Sequence, residues 1–188
     1  MPLESRDTQS APGRDYAPIA TSLRRDLPAD AERQDRMQAV ADALWNAFGL
    51  SAADTEALES HRPGEGRISW VGFYAPVPGK EEMILGPRRD KPACSPIGLH
   101  GACGRSYLSR KALVIGEVSR LGEGYIACDP RDRSEVVIPC FNPDGSCWGV
   151  LDADSYDANA FTERDAYALM LVLRAAGLSF SDAEVEVV

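Results

Sequence analysis

The sequence predicts an α+β domain, one antiparallel sheet with helices packed on it. Three observations carry this expectation: two apolar runs flanking Asn142-Pro143-Asp144-Gly145, helix-spaced apolar residues from Met37 to Phe48, and a capped apolar segment opening at Thr162. The layout along the chain is helix, hairpin, long loop, short helix, strand, hairpin, helix, which fits a sheet covered by helices.

Residues 1–28 read as an N-terminal arm, mobile or docking late, because Pro2, Pro12, Gly13, Pro18 and Pro28 punctuate polar sequence. The catalytic-domain candidate is 29–180. A helix is expected from Asp30, its capping residue, to Phe48. Met37, Val40, Ala41, Leu44, Trp45 and Phe48 share one face, and Gly49 ends it. Ser51 to Gly66 is polar and loop-like. Ile68–Tyr74 is aromatic and β-branched, a strand that pairs with Glu82–Leu85 through Pro76, Pro78 and Gly79. Gly86-Pro87 opens a long loop running to Cys103, followed by a short helix over Gly104–Arg110 and a strand over Ala112–Val118. Glu135–Phe141 and Cys147–Ala153 form the clearest hairpin, since Asn-Pro-Asp-Gly is strong turn chemistry. Thr162 with Asp165 resembles a capping box for a helix to about Leu178, with Phe161 as its staple. Residues 181–188 read as an acidic tail.

With 188 residues, 44% hydrophobic and 26% charged, the chain is sized and balanced for one soluble domain. The net charge of −9 argues against nucleic acid as a partner, because a phosphate-backbone binder needs a basic patch. No apolar stretch approaches the ~20 residues of a membrane span, and the polar N-terminus lacks a signal-peptide core. Five cysteines is an odd number for a disulfide-stapled secreted domain, so a cytoplasmic, reducing setting is expected.

The five cysteines divide into two groups. Cys140 and Cys147 sit in apolar runs and read as core residues. Cys94, Cys103 and Cys128 lie among Gly, Pro, Lys, Asp and Arg, where a thiol is accessible to redox chemistry. A structural metal site wants cysteines two to four residues apart. Here they stand at 94, 103, 128, 140 and 147, and His61 and His100 are the two histidines, so no bound metal or cofactor is expected.

A thiol reductase needs a nucleophilic thiolate, a proton donor for the departing oxygen and a second thiol to close a disulfide. Arg131 and Arg133 are candidates to lower the pKa of Cys128, with Asp129 opposing them. Asp152 and Asp154 are two apart on one strand and face one side of the sheet, and Glu135 opens the neighbouring strand. Three carboxylates around one pocket repel each other, so at least one is protonated near neutral pH and can act as a general acid while its neighbours bind an ammonium group. Trp70 and Tyr74, four apart on the first strand, share a face; aromatics so placed either fill the core or wall a small pocket.

Over residues 68–155 the chain resembles the free methionine-(R)-sulfoxide reductases, which are built on the GAF fold. The matching pieces, in order, are Trp70-Val71-Gly72-Phe73-Tyr74, Leu85-Gly86-Pro87, Lys91-Pro92-Ala93-Cys94, Ala102-Cys103-Gly104, Ile126-Ala127-Cys128-Asp129, Ser134-Glu135-Val136-Val137 and Gly149-Val150-Leu151-Asp152-Ala153-Asp154-Ser155. The resemblance implies reduction of free methionine-R-sulfoxide with thioredoxin as external reductant. It implies Cys128 as nucleophile, Cys94 and Cys103 as the other redox cysteines with Cys94 favoured as first resolver, and Glu135, Asp152 and Asp154 as the carboxylates that hold the substrate and protonate its oxygen. Trp70 and Tyr74 would enclose the substrate side chain. The chain departs from the common family pattern at Leu99-His100-Gly101, at Glu117-Val118-Ser119 and at Tyr125. A non-catalytic GAF sensor of a small ligand and a peroxide-sensing thiol switch are the alternative readings, and a homodimer is left open.

Overall fold

In the computed structural model the described residues are 13–50, 66–89, 91–122 and 128–188. Seven strands form one sheet: β1 (Trp70–Pro76), β2 (Glu82–Arg89), β3 (Ile97–Gly98), β4 (Ala112–Ile115), β5 (Ser134–Phe141), β6 (Cys147–Ser155) and β7 (Val185–Val187). Their order is β3-β2-β1-β6-β5-β4-β7. The helices are α1 (Ala17–Asp26), α2 (Arg33–Phe48), α3 (Ala102–Ser109) and α4 (Glu163–Ala175). The predicted α+β architecture is what forms.

Strand alternation sends side chains to two faces, and each face has its own core. Val71 and Phe73 of β1, Ala112 and Val114 of β4, Val136, Ile138 and Cys140 of β5, and Leu151 and Ala153 of β6 pack on the face covered by α1, α2 and α4. Trp70, Tyr74, Leu113, Ile115, Val137 and Val150 point the other way, toward Cys103 and Ala102 of α3. Register then fixes the polar chemistry. Gly72 pairs with Asp152 and Trp70 with Asp154 across β1/β6, while Glu135 pairs with Asp154 across β5/β6.

The α4 entry follows the sequence reading: Thr162 N–H donates to Asp165 at 2.8 Å, and the Thr162 hydroxyl accepts from the Asp165 N–H. Gly49 ends α2 as expected, while three other expectations need correction. The helix predicted from Asp30 starts at Arg33 after Glu32, with no side-chain cap. Gly49 ends α2 in extended backbone, and glycine is needed there because a Cβ would lie 2.5 Å from the Trp45 ring. The strand expected to reach Val118 stops at Ile115, where the Gly116 carbonyl accepts from Asn159 N–H at 2.8 Å, and Val118–Leu121 forms a 3-10 turn. The sheet is mixed at one edge, because the acidic tail contributes β7, parallel to β4. Its charges are matched: Glu184 pairs with Lys111 at 3.1 Å, and Glu186 pairs with Arg105.

The arm, too, is docked over its described part. Tyr16, Ile19 and Leu23 recur at helical spacing and are buried in the main core. The Tyr16 hydroxyl donates to Asp165 at 2.9 Å, and the Arg14 guanidinium lies over the Phe161 ring at 4.7 Å while donating to the Ala160 carbonyl at 2.9 Å. Residues 1–12 and 51–65 lie outside the described residues, so the loop expected over Ser51–Gly66 is described only at Gly66.

Candidate active site

Between the α3 face of the sheet and the loops at 91–101 and 128–132 lies a cavity of about 500 Å³. All eight residues singled out from sequence line it: Trp70, Tyr74, Cys94, Cys103, Cys128, Glu135, Asp152 and Asp154. Its size suits a small molecule.

The floor is the sheet. Asp152 and Glu135 are buried, and Asp154 is partly buried beside them. Desolvation pushes the carboxyls of Asp152 and Asp154 well above the usual range, and their mutual repulsion with Glu135 pushes the same way. Asp132, from the Cys128 loop, was not anticipated from sequence. Burial raises it to about 6, although the Ser69 hydroxyl donates to it at 2.7 Å. No spacing rule pointed to Asp132, because it reaches the site from a loop and its partner Ser69 is 63 residues away. Oδ1 of Asp152 is buried with no hydrogen-bond partner among the described residues. An orphaned buried oxygen of this kind is a group that a bound donor would satisfy.

Trp70 and Tyr74 form one wall, their ring centroids 6.0 Å apart. Gly72 stands between them because a Cβ there would lie 2.5 Å from the Trp70 indole. Both aromatics hold the loop above: Trp70 Nε1 donates to the Lys91 carbonyl at 3.1 Å, and the Tyr74 hydroxyl donates to the Cys94 carbonyl at 2.9 Å.

The three thiols differ sharply in setting. Cys94 and Cys128 are exposed, whereas Cys103 is buried. Cys103 sits in the first turn of α3, where its Sγ donates to Asp152 Oδ2 at 3.2 Å, and burial together with that carboxylate pushes its thiol far up. The loop-exposed setting expected of Cys103 is therefore corrected. Of the two cysteines read as core, Cys140 is buried and Cys147 is half-buried at the hairpin end.

The expected activation of Cys128 by arginine is not what the fold provides. Arg131 forks onto Asp129 at 2.9 and 2.6 Å, and Arg133 pairs with Glu117 at 2.7 Å. The Cys128 thiol is instead pushed up to about 12, first by desolvation and then by the neighbouring Cys94 thiol. Cys128 thus rests as a neutral thiol beside its expected partner.

A second group missed by sequence joins the two cysteine loops. Asp129 accepts from Lys91, from Arg131 and from the Tyr156 hydroxyl, the last at 2.9 Å. Lys91 Nζ and the Arg131 guanidinium lie 4.8 and 4.7 Å from the Tyr156 ring centroid. These partners hold the Asp129 carboxyl well below the usual carboxylate range. The Lys and Arg side chains on the cavity wall are thereby committed to Asp129, and the opposite wall is carboxylic.

Ligand atoms of Cys103, Glu135 and Asp152 lie within 4.8 Å of one another. Cysteine spacing gave no hint of this mixed sulfur and oxygen cluster, because its members come from one helix and two strands. Ile126, Ala127 and Tyr125 of the Cys128 motif lie outside the described residues.

The chain is similar to known proteins in sequence and in fold. The GAF domain family pattern matches residues 32–180. The chain is 32% identical over 124 residues to the free methionine-R-sulfoxide reductase of Saccharomyces cerevisiae, covering 65% of this chain and 61% of that protein, so it spans less than two thirds of that relative's length. It is 35% identical over 124 residues to the free methionine-R-sulfoxide reductase of Escherichia coli, covering 65% of this chain and 71% of that one. The solved free methionine-R-sulfoxide reductase of Neisseria meningitidis, in complex with its substrate, superposes with a TM-score of 0.71 at 28% identity over 88% of this chain and 90% of that one.

Proposed function

The chain belongs to the GAF-domain family and is homologous within it to the free methionine-R-sulfoxide reductases, and from that premise we propose that it reduces free L-methionine-(R)-S-oxide to methionine. The observation that carries the reading is the convergence of exposed Cys128 and Cys94 on one cavity whose opposite wall is Glu135, Asp152 and Asp154.

The substrate's ammonium group is held by ionised carboxylates of that wall, and its methyl and methylene groups lie against Trp70 and Tyr74. Asp152, buried and driven toward its neutral form, donates to the sulfoxide oxygen through the oxygen atom that has no partner of its own. Cys128 gives its proton to an ionised carboxylate of the same wall and attacks the sulfoxide sulfur, so the proton that Asp152 donates is replaced. The sulfur–oxygen bond breaks, the sulfoxide is reduced to the thioether of methionine, and the oxygen ends on Cys128 as a sulfenic acid. Cys94 then attacks the sulfenic sulfur, a disulfide forms, and the oxygen leaves as water with the Cys94 proton. A dithiol protein of the thioredoxin class returns both thiols by exchange, in a reducing cytoplasm where such thiols persist. Among the described residues no helix is long and apolar enough to cross a membrane.

The test is a thioredoxin-coupled assay following NADPH with free methionine-R-sulfoxide. Turnover with the R epimer, with little or none for the S epimer, is expected, and Cys128→Ser removes it. Tight binding of the sulfoxide without consumption, or full turnover in Cys128→Ser, contradicts the assignment.

A further inference from the structure

The loop that carries Cys94 and the loop that carries Cys128 are tied together by a clamp centred on Tyr156, a residue just beyond the end of β6. Its ring is flanked by Lys91 from the first loop and Arg131 from the second. Its hydroxyl accepts from Lys91 Nζ at 2.6 Å and donates to Asp129, the neighbour of Cys128, at 2.9 Å. Lys91 also pairs directly with Asp129. The first loop is anchored to the sheet through backbone carbonyls, by Trp70 and Tyr74 on Lys91 and Cys94. The second is anchored by Ser69 on Asp132 and by Arg133 N–H on the Ser155 carbonyl at 2.8 Å. Each loop therefore has its own tether to the floor, and the clamp sets the spacing between them.

Resting on the reductase reading, we propose that Tyr156 is a positioning residue for the resolving step: it holds the Cys128 loop against the Cys94 loop so that the two sulfurs meet. The step concerned is attack of the Cys94 thiol on the Cys128 sulfenic acid, in which a sulfur–sulfur bond forms, the sulfur–oxygen bond breaks, and water leaves. Thiol–disulfide geometry is demanding, with Cα atoms usually 4.4–6.8 Å apart in the product, so a loop shift of an ångström or two decides this step. Attack on the sulfoxide needs Cys128 and the carboxylate wall, neither of which Tyr156 touches, and it is spared.

The experiment is single turnover of the full chain without reductant, measuring methionine released and the Cys94–Cys128 disulfide, with dimedone trapping the sulfenic acid. Tyr156→Leu releases methionine within about twofold of the unaltered rate, while its disulfide forms about tenfold more slowly and the dimedone adduct accumulates. Tyr156→Phe keeps the stacked ring, loses the hydroxyl, and falls between. Lys91→Met, which leaves Tyr156 intact, reproduces the Tyr156→Leu partition and guards against a folding defect in that variant. Hydrogen peroxide provides an independent arm, since it oxidises Cys128 to the sulfenic acid with release of water and needs no sulfoxide. If the unaltered chain releases no methionine, yet peroxide-driven disulfide formation still slows in Tyr156→Leu, the clamp stands and the reductase reading falls. Disulfide formation at the unaltered rate in Tyr156→Leu, an equal fall of both steps, or no Cys94–Cys128 disulfide in the unaltered chain overturns the clamp.

Discussion

The Cys103 thiol donates to Asp152 Oδ2 at 3.2 Å, with both groups buried, so one of the three candidate redox cysteines is bound to the carboxylate wall and is not presented to solvent. Cys94 and Cys128 are exposed and line the same cavity. This arrangement divides the thiols into an exposed pair and a buried third hydrogen-bonded to a carboxyl group.

The first prediction concerns which disulfide forms. Oxidised protein digested under acid conditions yields the Cys94–Cys128 peptide pair first, and Cys103→Ala still forms it. Native alkylation labels Cys94 and Cys128 well before Cys103 and Cys140. A Cys103–Cys128 pair as the first product would reverse the roles of Cys94 and Cys103.

The second prediction is a pH dependence. Alkylation proceeds through the thiolate, and an ordinary cysteine is fully deprotonated above about pH 9.5, where its rate levels off. The Cys128 thiol is pushed up to about 12, so its thiolate fraction keeps rising about tenfold per pH unit beyond that point. Iodoacetamide kinetics in Cys94→Ser, followed by mass spectrometry at Cys128, tests the burial contribution, and a plateau at or below about pH 9.5 would contradict it.

A third prediction follows from the carboxylate wall. Folding holds the Asp152 proton more tightly than the unfolded chain does, because its folded pKa is raised. That contribution is complete below the unfolded value near 4 and is lost as pH rises through the folded value. Asp152→Asn removes the liability, so the variant is the more stable protein and its advantage grows from pH 5 to pH 9. A gain of about 1 kcal/mol corresponds to a rise in Tm of about 2–4 °C for a chain of this size. The same variant loses about 10²–10⁴ in kcat, the range expected for a missing general acid.

The fourth prediction tests the aromatic wall. Gly72→Ala places a methyl group 2.5 Å from the Trp70 indole and 2.8 Å from Arg88 Cβ, so the indole must move. We expect a stability loss of about 1–3 kcal/mol from overpacking and a raised KM for the sulfoxide. Thermal unfolding and steady-state kinetics check both, and an unchanged Tm would show that Trp70 is not fixed there.

Much of the fold was legible because its signals are local. The continuous apolar runs of β5 and β6 on either side of Asn142-Pro143-Asp144-Gly145 identify the hairpin, and with it the shared face of Glu135, Asp152 and Asp154. What escaped reading from sequence depends on distant partners. Tyr16, Ile19 and Leu23 carry a helical pattern, but prolines around them obscured it, and their docking relies on Arg14 and Asp165 149 residues beyond Tyr16. Arg131 looked like an activator of Cys128 because proximity in sequence says nothing about where a long side chain points. In the folded chain it forks onto Asp129 instead. Tyr156 carried no signal of its own, since its partners come from loops about 65 and 25 residues earlier in the chain.

The central claim is that Cys128 reduces the sulfoxide and Cys94 resolves the product, and single turnover of Cys94→Ser tests it most directly. Mixed with excess free methionine-R-sulfoxide and dimedone, that variant is predicted to release one equivalent of methionine and then stall with the adduct on Cys128. Sustained turnover with thioredoxin, or no methionine released at all, would contradict the account.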